Sequence, residues 1–359
     1  MNENDISMEQ HTRDLKSMTL PELSEFMKDL GEKPFRAKQI YEWMHVHRAS
    51  SYQDMTSLSR ALREKLEAYP LTVLEQVTVQ ISKIDGTRKY LFRLDDGNVI
   101  ESVFMRYEHG CSVCISSQAG CRMGCRFCAS TIGGLVRNLR PSEMLDQIYR
   151  ICEDTGEKIS NVVVMGTGEP LDNYDSLLRF IRLLTDENGM NLSQRNVTVS
   201  TCGIVPKIRE LAKEKLQITL AISLHAPNDE KRRDLMPIAR RYDMEELLAA
   251  CRYYFEQTGR RITFEYSLTA GKNDSAADAY ELAGRIKGMN CHVNLIPVNP
   301  VREREFKRPD QRAVVNFKNN LEKSGINVTI RRSMGSDIDG ACGQLRRGFL
   351  ETGHPGESE

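Results

Sequence analysis

The chain has 359 residues, which is enough for two or three domains with a large buried core. Lysine and arginine together number 50, as do aspartate and glutamate, so the formal net charge is zero and no overall positive field attracts nucleic acid. The fractions of apolar residues, 40%, and of charged residues, 28%, exclude a disordered or collagen-like chain. Residues 1–18 lack the basic start and apolar run of a secretory signal peptide, and no later apolar run is long enough for a membrane helix. We therefore expect a globular cytoplasmic protein without membrane contact.

The first predicted elements are short helices followed by antiparallel strands. Between Pro21 and about Tyr69 the apolar residues recur at helical spacing. From Val73 they alternate with a period of two, with turn residues at Asp85-Gly86 and Asp96-Gly97. These patterns predict a flexible N-terminus over 1–19, a helical domain over 20–70 and an antiparallel β extension over 71–110.

Beyond Cys111 short apolar strands alternate with amphipathic helices. The predicted strands are SVCISS, NVVVM, NVTVS, QITLAISL, ITFEYSL and HVNLIPV. This alternation predicts a parallel α/β domain over 111–346, followed by a flexible tail over 347–359. Six such units fit an open barrel as well as a doubly wound sheet, and in both folds the ligand site lies at the carboxyl ends of the strands.

Three cysteines directly after the first strand of this domain form the sharpest motif. Cys121, Cys125 and Cys128 have the spacing CxxxCxxC, which lets a loop direct three sulfurs at one small cluster. Three thiolates leave one iron of a 4Fe-4S cluster open to an external ligand. A structural zinc site is the alternative, and it would need a fourth ligand such as Cys114 or Cys111.

The motif, with Phe127 before its last cysteine, resembles the signature of radical S-adenosylmethionine enzymes. MGTGEP at 165–170 resembles the motif that binds the amino group of S-adenosylmethionine in that superfamily, although Gly166 and Gly168 alone would also fit a tight turn. From about Leu20 to Arg346 the chain resembles the RNA adenine methyltransferases of the superfamily. The similar segments are KPFRAKQIYEWMH, ESVFM, GGLVRNL, STCG, SLHA, PVNP and RRSMGSDIDGACGQL.

The resemblance implies a partial, open barrel of six β/α units, with the helical domain contacting RNA. It also implies one 4Fe-4S cluster, two S-adenosylmethionine molecules per turnover, an electron donor such as flavodoxin, and a monomer. The substrates would be 23S rRNA, methylated at carbon 2 of an adenosine of the peptidyl-transferase centre, and tRNA, methylated at the adenosine 3′ of the anticodon. Three alternatives stay open: methylation of adenine carbon 8 in 23S rRNA, another radical enzyme such as one acting on a protein glycyl residue, and a non-catalytic zinc module that binds RNA.

The chemistry of carbon 2 explains two further cysteines. This carbon is electron-poor and cannot attack a methyl sulfonium, and a deoxyadenosyl radical abstracts hydrogen without delivering a methyl group. The resemblance assigns the methyl carrier to Cys342 and the resolving thiol, which forms a transient disulfide with it, to Cys114. It assigns the proton acceptor to Glu101, which without the resemblance would be a solvent-facing strand residue. The remaining cysteines are predicted to be packing residues: Cys111, Cys152, Cys202, Cys251 and Cys291.

The resemblance also assigns S-adenosylmethionine binding to residues at or after strand ends. They are Gly168, Glu169, Ser200, Ser223, Leu224, His225 and Asn299. Without it, His225 would be a structural histidine and Asn299 a turn residue.

Local basic clusters lie mostly in the connections after strands, where they could hold RNA phosphates around the site. These clusters include Arg137 and Arg140, Lys231-Arg232-Arg233, Arg331-Arg332, and Lys33, Arg36 and Lys38 in the helical domain.

Overall fold

The computed structural model describes residues 14–298, 305–338 and 343–352. Two residues predicted to act at the site, Asn299 and Cys342, lie outside the described residues.

A ten-stranded sheet, in the order β1-β2-β3-β4-β7-β8-β9-β10-β11-β12, organises the described chain. Strands β1 to β4 pair antiparallel, and each pair from β4 to β12 is parallel. The strands are β1 (Glu75–Ile81), β2 (Arg88–Arg93), β3 (Val99–Tyr107), β4 (Gly110–Ile115), β7 (Ile159–Val164), β8 (Val197–Thr201), β9 (Thr219–Ser223), β10 (Ile262–Leu268), β11 (Cys291–Pro297) and β12 (Val328–Ile330), with β5 (Gln118–Gly120) and β6 (Leu135–Asn138) in a separate hairpin.

The α-helices of the described chain lie before the sheet, between its parallel strands and after its last strand. They are α1 (Leu20–Asp29), α2 (Phe35–His45), α3 (Arg60–Leu66), α4 (Pro141–Thr155), α5 (Tyr174–Thr185), α6 (Val205–Lys213), α7 (Asp229–Leu235), α8 (Met244–Thr258), α9 (Ala276–Ile286), α10 (Gln311–Lys323) and α11 (Gln344–Thr352). None of these helices combines the length and the apolar character needed to cross a bilayer.

The predicted open α/β fold is confirmed, because the end strands β1 and β12 of the large sheet are not paired with each other. The prediction of six parallel strands missed β12, whose three residues are too few to show an alternating pattern. The antiparallel extension continues the same sheet, because β3 pairs with β4 in a register that places Val103 opposite Cys114.

Alternation along the parallel strands separates an apolar face from a polar one. On β9, Leu220 and Ile222 are fully buried, and they belong to the same apolar core as the buried side chains of the helices. On the opposite face the strand register aligns Ser223 with Glu265, and Glu265 with Asn294. The Asn294 amide donates to the Glu265 carboxylate over 2.9 Å. The inner face of the open barrel therefore carries polar side chains.

The N-terminal helices share one apolar core with the sheet. The prediction of a flexible segment over 1–19 was wrong for the described residues 14–19. Leu15 and Lys16 are fully buried, and the Lys16 ammonium lies 2.7 Å from the Asp146 carboxylate on α4. Lys16 lies in a polar stretch of the sequence, so the sequence alone did not predict that it would be buried in an ion pair with Asp146.

The predicted tail also begins too early. Helix α11 runs from residue 344 to residue 352 and crosses the predicted boundary at 346. Its first turn is held on β3, where Leu345 and Arg346 are buried and the Arg346 guanidinium donates to the Val99 carbonyl over 2.7 Å.

His45 makes the stability of the fold depend on pH. Its ring is 1% exposed at the end of α2, and its Nδ1 atom lies 2.8 Å from the Tyr149 hydroxyl. Burial, and secondarily the charge of Lys16, lowers the pKa of His45 to about 3. Because an unfolded histidine has a pKa of about 6.5, the unfolded chain binds a proton that the folded chain excludes, and stability falls as the pH drops from about 6.5 towards 3.

We therefore expect His45→Gln to reduce the loss of unfolding free energy between about pH 7 and pH 5.5 by about 1 kcal/mol. Urea unfolding at both pH values measures this difference. His47→Gln is the matched control, because His47 is exposed near the same helix end and should leave the loss unchanged. An unchanged pH dependence in His45→Gln would contradict the assignment.

Candidate functional site

One cavity, of about 180 Å³, brings together residues from the separate motifs, and we call it the first cavity. Cys121, Cys125 and Cys128 all line it. The walls opposite come from the ends of β7, β8 and β9 and the loops that follow them. They include Gly168, Glu169, Ser200, Ser223 and His225. Leu224 is fully buried beside these residues, and its backbone N–H donates to the Glu265 carbonyl over 3.0 Å.

Residues 121–128, which we call the cysteine loop, are held by backbone hydrogen bonds. The Cys121 N–H donates to the Gly134 carbonyl over 2.9 Å, and the Cys128 N–H donates to the Cys125 carbonyl over 3.1 Å. The Arg126 N–H donates to the Leu235 carbonyl at the end of α7 over 2.9 Å. The sulfur positions therefore depend on α7 as well as on the loop itself.

The electrostatics of two of these thiols, Cys121 and Cys125, bear on whether the loop can bind metal cations. Burial raises the pKa of Cys121 to about 12, and burial together with the neighbouring thiols raises that of Cys125. A cation bound to the sulfurs would reverse both effects, because metal ligation stabilises thiolates. Within the described residues, no three Cys, His, Asp or Glu side chains are already gathered around one metal position, so the sulfurs must turn inward to bind one.

The cysteines proposed as a fourth zinc ligand lie elsewhere. Cys114 lines a different cavity, and the Cys111 sulfur lies 3.9 Å from Glu157.

Cys202, predicted to be a packing residue, does line the first cavity. Burial and the adjacent Glu169 carboxylate raise the pKa of Cys202 and keep it a neutral thiol. The donor set is three soft sulfurs, as an iron–sulfur cluster with an open iron requires.

Both glycines of MGTGEP are required by close packing. A Cβ atom at Gly166 would lie 2.7 Å from the Ile115 carbonyl oxygen, and one at Gly168 would lie 2.7 Å from the Gln118 Cβ atom. Gly168 also has a φ of +113°, which side-chain-bearing residues rarely adopt. The turn that these glycines form directs Glu169 into the first cavity.

Glu169 is a buried carboxylate, 4% exposed, at the end of this turn. Its Oε2 atom accepts from the Cys202 N–H over 2.7 Å, and its Oε1 atom accepts from the Leu171 N–H over 3.0 Å. Burial raises the pKa of Glu169, against the effect of these hydrogen bonds. A ligand ammonium in the cavity would offset the cost of keeping this carboxylate ionised.

His225 presents a fixed hydrogen-bond donor. Its Nδ1 atom accepts from the Ser267 N–H over 2.9 Å, which assigns the ring proton to Nε2. Burial, and secondarily Arg232, lowers the pKa of His225 to about 3, so the ring is neutral. Its φ of +57° is held by the Asn273 amide, which donates to the His225 carbonyl over 2.8 Å. The ring meets Phe127 of the cysteine loop edge to face at 4.9 Å.

A second cavity, of about 230 Å³, adjoins the first. The two share Met165 and Gly166 as lining residues. Cys114 and Glu101 line the second cavity together with basic side chains from the segment after β12, Arg331 and Arg332. Burial raises the pKa of the Cys114 thiol.

The expectation of a solvent-facing Glu101 is wrong. Its side chain is buried, and its carboxylate lies 3.1 Å from the Lys89 ammonium, which is also buried. It accepts from the N–H groups of Gly343 and Arg346, each over 2.6 Å. Helix α11 covers this part of β3, which a strand pattern could not reveal.

The position of Gly343 is informative because Cys342 itself is outside the described residues. A Cβ atom at Gly343 would lie 2.7 Å from the backbone nitrogen of Ser130, just after the cysteine loop. Gly343 therefore contacts both Glu101 of the second cavity and the segment that follows the three cysteines. The approach of Cys342 to Cys114 stays a prediction.

Several basic residues predicted to hold phosphate are not free to do so. Arg232 is fully buried, because α7 packs this residue against the sheet and the Cys202 carbonyl. Arg140 pairs with Asp95 at 2.6 Å, and Arg137 pairs with Glu143 at 2.8 Å. A charge run in the sequence does not distinguish the buried Arg232 from its exposed neighbour Arg233.

The geometry of Gly168 predicts that Gly168→Ala lowers stability by about 1–3 kcal/mol, because the new methyl group meets Gln118 in a strained backbone conformation. Gly284→Ala is the control, since Gly284 lies in α9 with nothing within 4 Å of a new Cβ atom. That substitution should stabilise the protein by up to about 1 kcal/mol. Thermal unfolding measures both, and equal midpoints would contradict the close packing.

Comparisons with known proteins agree with this arrangement. Residues 115–283 match the family model described as the radical SAM superfamily. Residues 13–70 match the model described as the ribosomal RNA large subunit methyltransferase N-terminal domain.

Similar relatives cover almost the whole chain. A probable dual-specificity RNA methyltransferase RlmN of Lachnospira eligens is 65% identical, over 94% of this chain and 97% of the relative. The protein of the same name from Clostridioides difficile is 53% identical, over 93% of this chain and 98% of the relative. The crystal structure of a radical SAM methyltransferase from Sphaerobacter thermophilus has a TM-score of 0.89 at 46% identity, and the match covers 92% of this chain and 98% of that one. The predicted family is thus confirmed, and the chain belongs to the RlmN family of dual-specificity RNA methyltransferases within the radical SAM superfamily.

Proposed function

We propose that this enzyme methylates carbon 2 of adenosine in 23S rRNA and in tRNA. Its relatives are named dual-specificity RNA methyltransferases, which supports two classes of RNA substrate. The observation that carries the proposal is the pair of adjoining cavities, one lined by the three clustered cysteines and the other by Cys114 and Glu101. The sites are the adenosine of the peptidyl-transferase centre and the adenosine 3′ of the anticodon.

Membership of the superfamily implies S-adenosylmethionine and a 4Fe-4S cluster. Cys121, Cys125 and Cys128 would hold the cluster, which when bound supplies the electron that cleaves S-adenosylmethionine to a carbon radical. The finer assignments also belong to this proposal: two S-adenosylmethionine molecules per turnover, a donor such as flavodoxin, a monomer and a cytoplasmic location.

The walls of the first cavity fit the polar groups of S-adenosylmethionine. Glu169 is placed to accept from its ammonium group, and the Nε2–H of His225 is a donor fixed beside the cysteine loop. The hydroxyls of Ser200 and Ser223 lie 3.5 Å apart on neighbouring strands and can bind hydroxyl groups of the ligand. Gly168 and Leu224 would contribute backbone groups, and Asn299 completes the proposed set.

The second cavity fits the adenine base and its phosphates. Methionine side chains and Pro297 provide apolar surface, and Arg331 and Arg332 provide charge for a phosphate. A base must leave its stack to enter such a cavity. We propose that residues 20–70 form a helical domain that contacts the rest of the RNA, with 71–110 as the β extension and 111–346 as the catalytic core.

Two further cysteines, Cys114 of the second cavity and Cys342, are assigned roles in the transfer of the methyl group. We propose that the methyl group carried on the Cys342 sulfur gives up one hydrogen atom to the radical derived from S-adenosylmethionine and forms a carbon–carbon bond to carbon 2 of the base. The hydrogen of carbon 2 would leave as a proton, and one electron would return to the cluster. The Cys114 thiolate then attacks the Cys342 sulfur, so that a disulfide forms and the bond between the Cys342 sulfur and the methylene carbon breaks. That carbon takes up a proton to become the methyl group of the released base, and the electron donor would reduce the disulfide. Glu101 would accept the proton lost from carbon 2. The buried thiol of Cys114 is shielded from other reactions by its cavity.

The cluster assignment predicts that alanine at any one of Cys121, Cys125 or Cys128 prevents full cluster assembly, because two thiolates cannot anchor three irons. Iron and sulfide content after anaerobic reconstitution measures the effect. Cys291→Ala is the control, since Cys291 is a buried cysteine on β11 that lines neither cavity. A full cluster in any of the three variants would disprove the assignment.

The resolving role predicts that Cys114→Ala leaves the enzyme covalently attached to RNA. A purely structural Cys114 would only lose about 1–2 kcal/mol of packing energy. Denaturing gels of RNA from cells that express the variant detect a protease-sensitive adduct. The adduct should disappear in the double variant with Cys342→Ala, and Cys111→Ala, on the same strand, should form none.

The same cells test the position of methylation. Nucleoside mass analysis should show 2-methyladenosine in RNA from cells with the wild-type enzyme and much less with Cys114→Ala. Turnover by Cys114→Ala without an adduct would refute the two-cysteine route, and 8-methyladenosine would establish the carbon-8 alternative.

A further inference from the structure

Arg232 is a buried cation without a counter-charge in the described structure. Its side chain lies on α7 and is fully buried. One nitrogen, Nη2, donates to the Cys202 carbonyl over 2.7 Å, and the same atom lies 3.5 Å from the Ser223 carbonyl. The Nε and Nη1 atoms have no hydrogen-bond partner, and Arg232 makes no ion pair with a described carboxylate. An uncompensated buried guanidinium is among the most costly arrangements in a protein.

The surroundings of Arg232 lead to the cysteine loop. Leu235 and Met236, which follow it in the chain, share an apolar cluster with Cys125 and Cys202. The loop is attached to α7 through the Leu235 carbonyl and through the ion pair between Arg126 and Asp234. The groups that interact electrostatically with Arg232 are Cys202, Cys125, Asp229 and Cys251. Cys125 is the member of this group that becomes a thiolate when it binds metal.

Asp229 acts on Arg232 through its charge, but the two make no direct ion pair in the described structure. Its carboxylate accepts from the Met244 N–H over 2.7 Å at the start of α8, and it lies in the first turn of α7. Cys202 is held as a neutral thiol beside Glu169. A direct counter-charge for Arg232 would be supplied by a negatively charged group bound at the cysteine loop, which packs against the end of α7.

We propose that Arg232 is the buried counter-charge of the iron–sulfur cluster. The inference rests on the proposed assignment of that cluster to the three cysteines. Three thiolates give the bound cluster a net negative charge, and uptake of one electron makes it more negative. A fixed buried cation stabilises the reduced form more than the oxidised form, and so raises the midpoint potential of this one-electron couple.

A purely structural role would act through the hydrogen bond to the Cys202 carbonyl, and two substitutions distinguish the two roles. Arg232→Lys keeps the charge, whereas Arg232→Gln keeps an amide donor without the charge. Arg233→Gln is the matched control, because Arg233 is exposed on the same helix and adjacent in sequence. The titration contains no RNA, so the phosphate contact predicted for Arg233 does not enter it.

The experiment is a redox titration of the reconstituted full-length enzyme without S-adenosylmethionine, with dithionite as reductant and electron paramagnetic resonance as readout. We expect Arg232→Gln to lower the midpoint potential by at least about 59 mV, a tenfold change for one electron. For Arg232→Lys and Arg233→Gln the shift in midpoint potential should correspond to less than a threefold change in the equilibrium constant of reduction. An unshifted potential in Arg232→Gln, or an equal shift in Arg232→Lys, would overturn the proposal.

Thermal unfolding of the cluster-free protein gives a second readout. Removing an uncompensated charge should leave the unfolding temperature of the cluster-free Arg232→Gln protein unchanged or higher than that of the cluster-free wild type. The increase in unfolding temperature on cluster binding should become smaller. Failure of both Arg232→Gln and Arg232→Met to fold without the cluster would show that the guanidinium supports the fold, and would refute the counter-charge. A wild-type enzyme that holds no cluster would instead refute the proposed function together with this inference.

Discussion

The close approach of two backbone segments, residues 115–118 and 166–169, is the constraint on which the site depends. The Gly166 N–H donates to the Ile115 carbonyl over 2.9 Å, and the Thr167 carbonyl accepts from both Ser117 and Gln118. The Gln118 side chain in turn accepts from the Glu169 N–H over 2.8 Å. This junction fixes the carboxylate of the first cavity, and the chain enters the cysteine loop directly after it. Its backbone also separates the two cavities, so a change there would alter both together.

Buried charge is the second feature of the site, and each charged group is compensated in a different way. Glu101 has a buried ammonium and two backbone donors, and Glu265 has the Asn294 amide and the charge of Arg331, although burial still raises its pKa. Glu169 has the backbone donors of Cys202 and Leu171 together with side-chain hydrogen bonds from Thr201 and Cys202, and Arg232 has carbonyl oxygens alone. Glu169 and Arg232 are both hydrogen-bonded to Cys202, Glu169 to its N–H group and Arg232 to its carbonyl oxygen, and Cys202 lines the first cavity together with the three clustered cysteines. Ligand charges are therefore built into the electrostatic balance of this half of the barrel.

Much of this arrangement could be predicted from the sequence, because local rules determine it. The spacing of the cysteines, the glycines of MGTGEP and the alternation of strands and helices all act over a few residues. The alternation predicted a parallel α/β domain, and the resemblance carried by the motifs implied the open barrel. Glu101, Lys16 and Arg232 could not be predicted, because their burial depends on contacts with elements that lie far away along the chain or on neighbouring strands. In Glu101 the partners are 242 and 245 residues away. The three-residue strand β12 was missed because its pairing, and not its pattern, makes it a strand.

The contact between β3 and α11 also determines when, during synthesis, this part of the chain can finish folding. A ribosome completes β3 early, yet the partners that Glu101 needs at Gly343 and Arg346 are synthesised 242 and 245 residues later. Until then the Glu101 carboxylate lacks these two backbone donors. The parallel strands from β4 to β12 can pair as they emerge, since each lies beside the previous one in the chain. A nascent chain that stops before Gly343 therefore leaves Glu101, which lines the second cavity, without two of its hydrogen-bond donors.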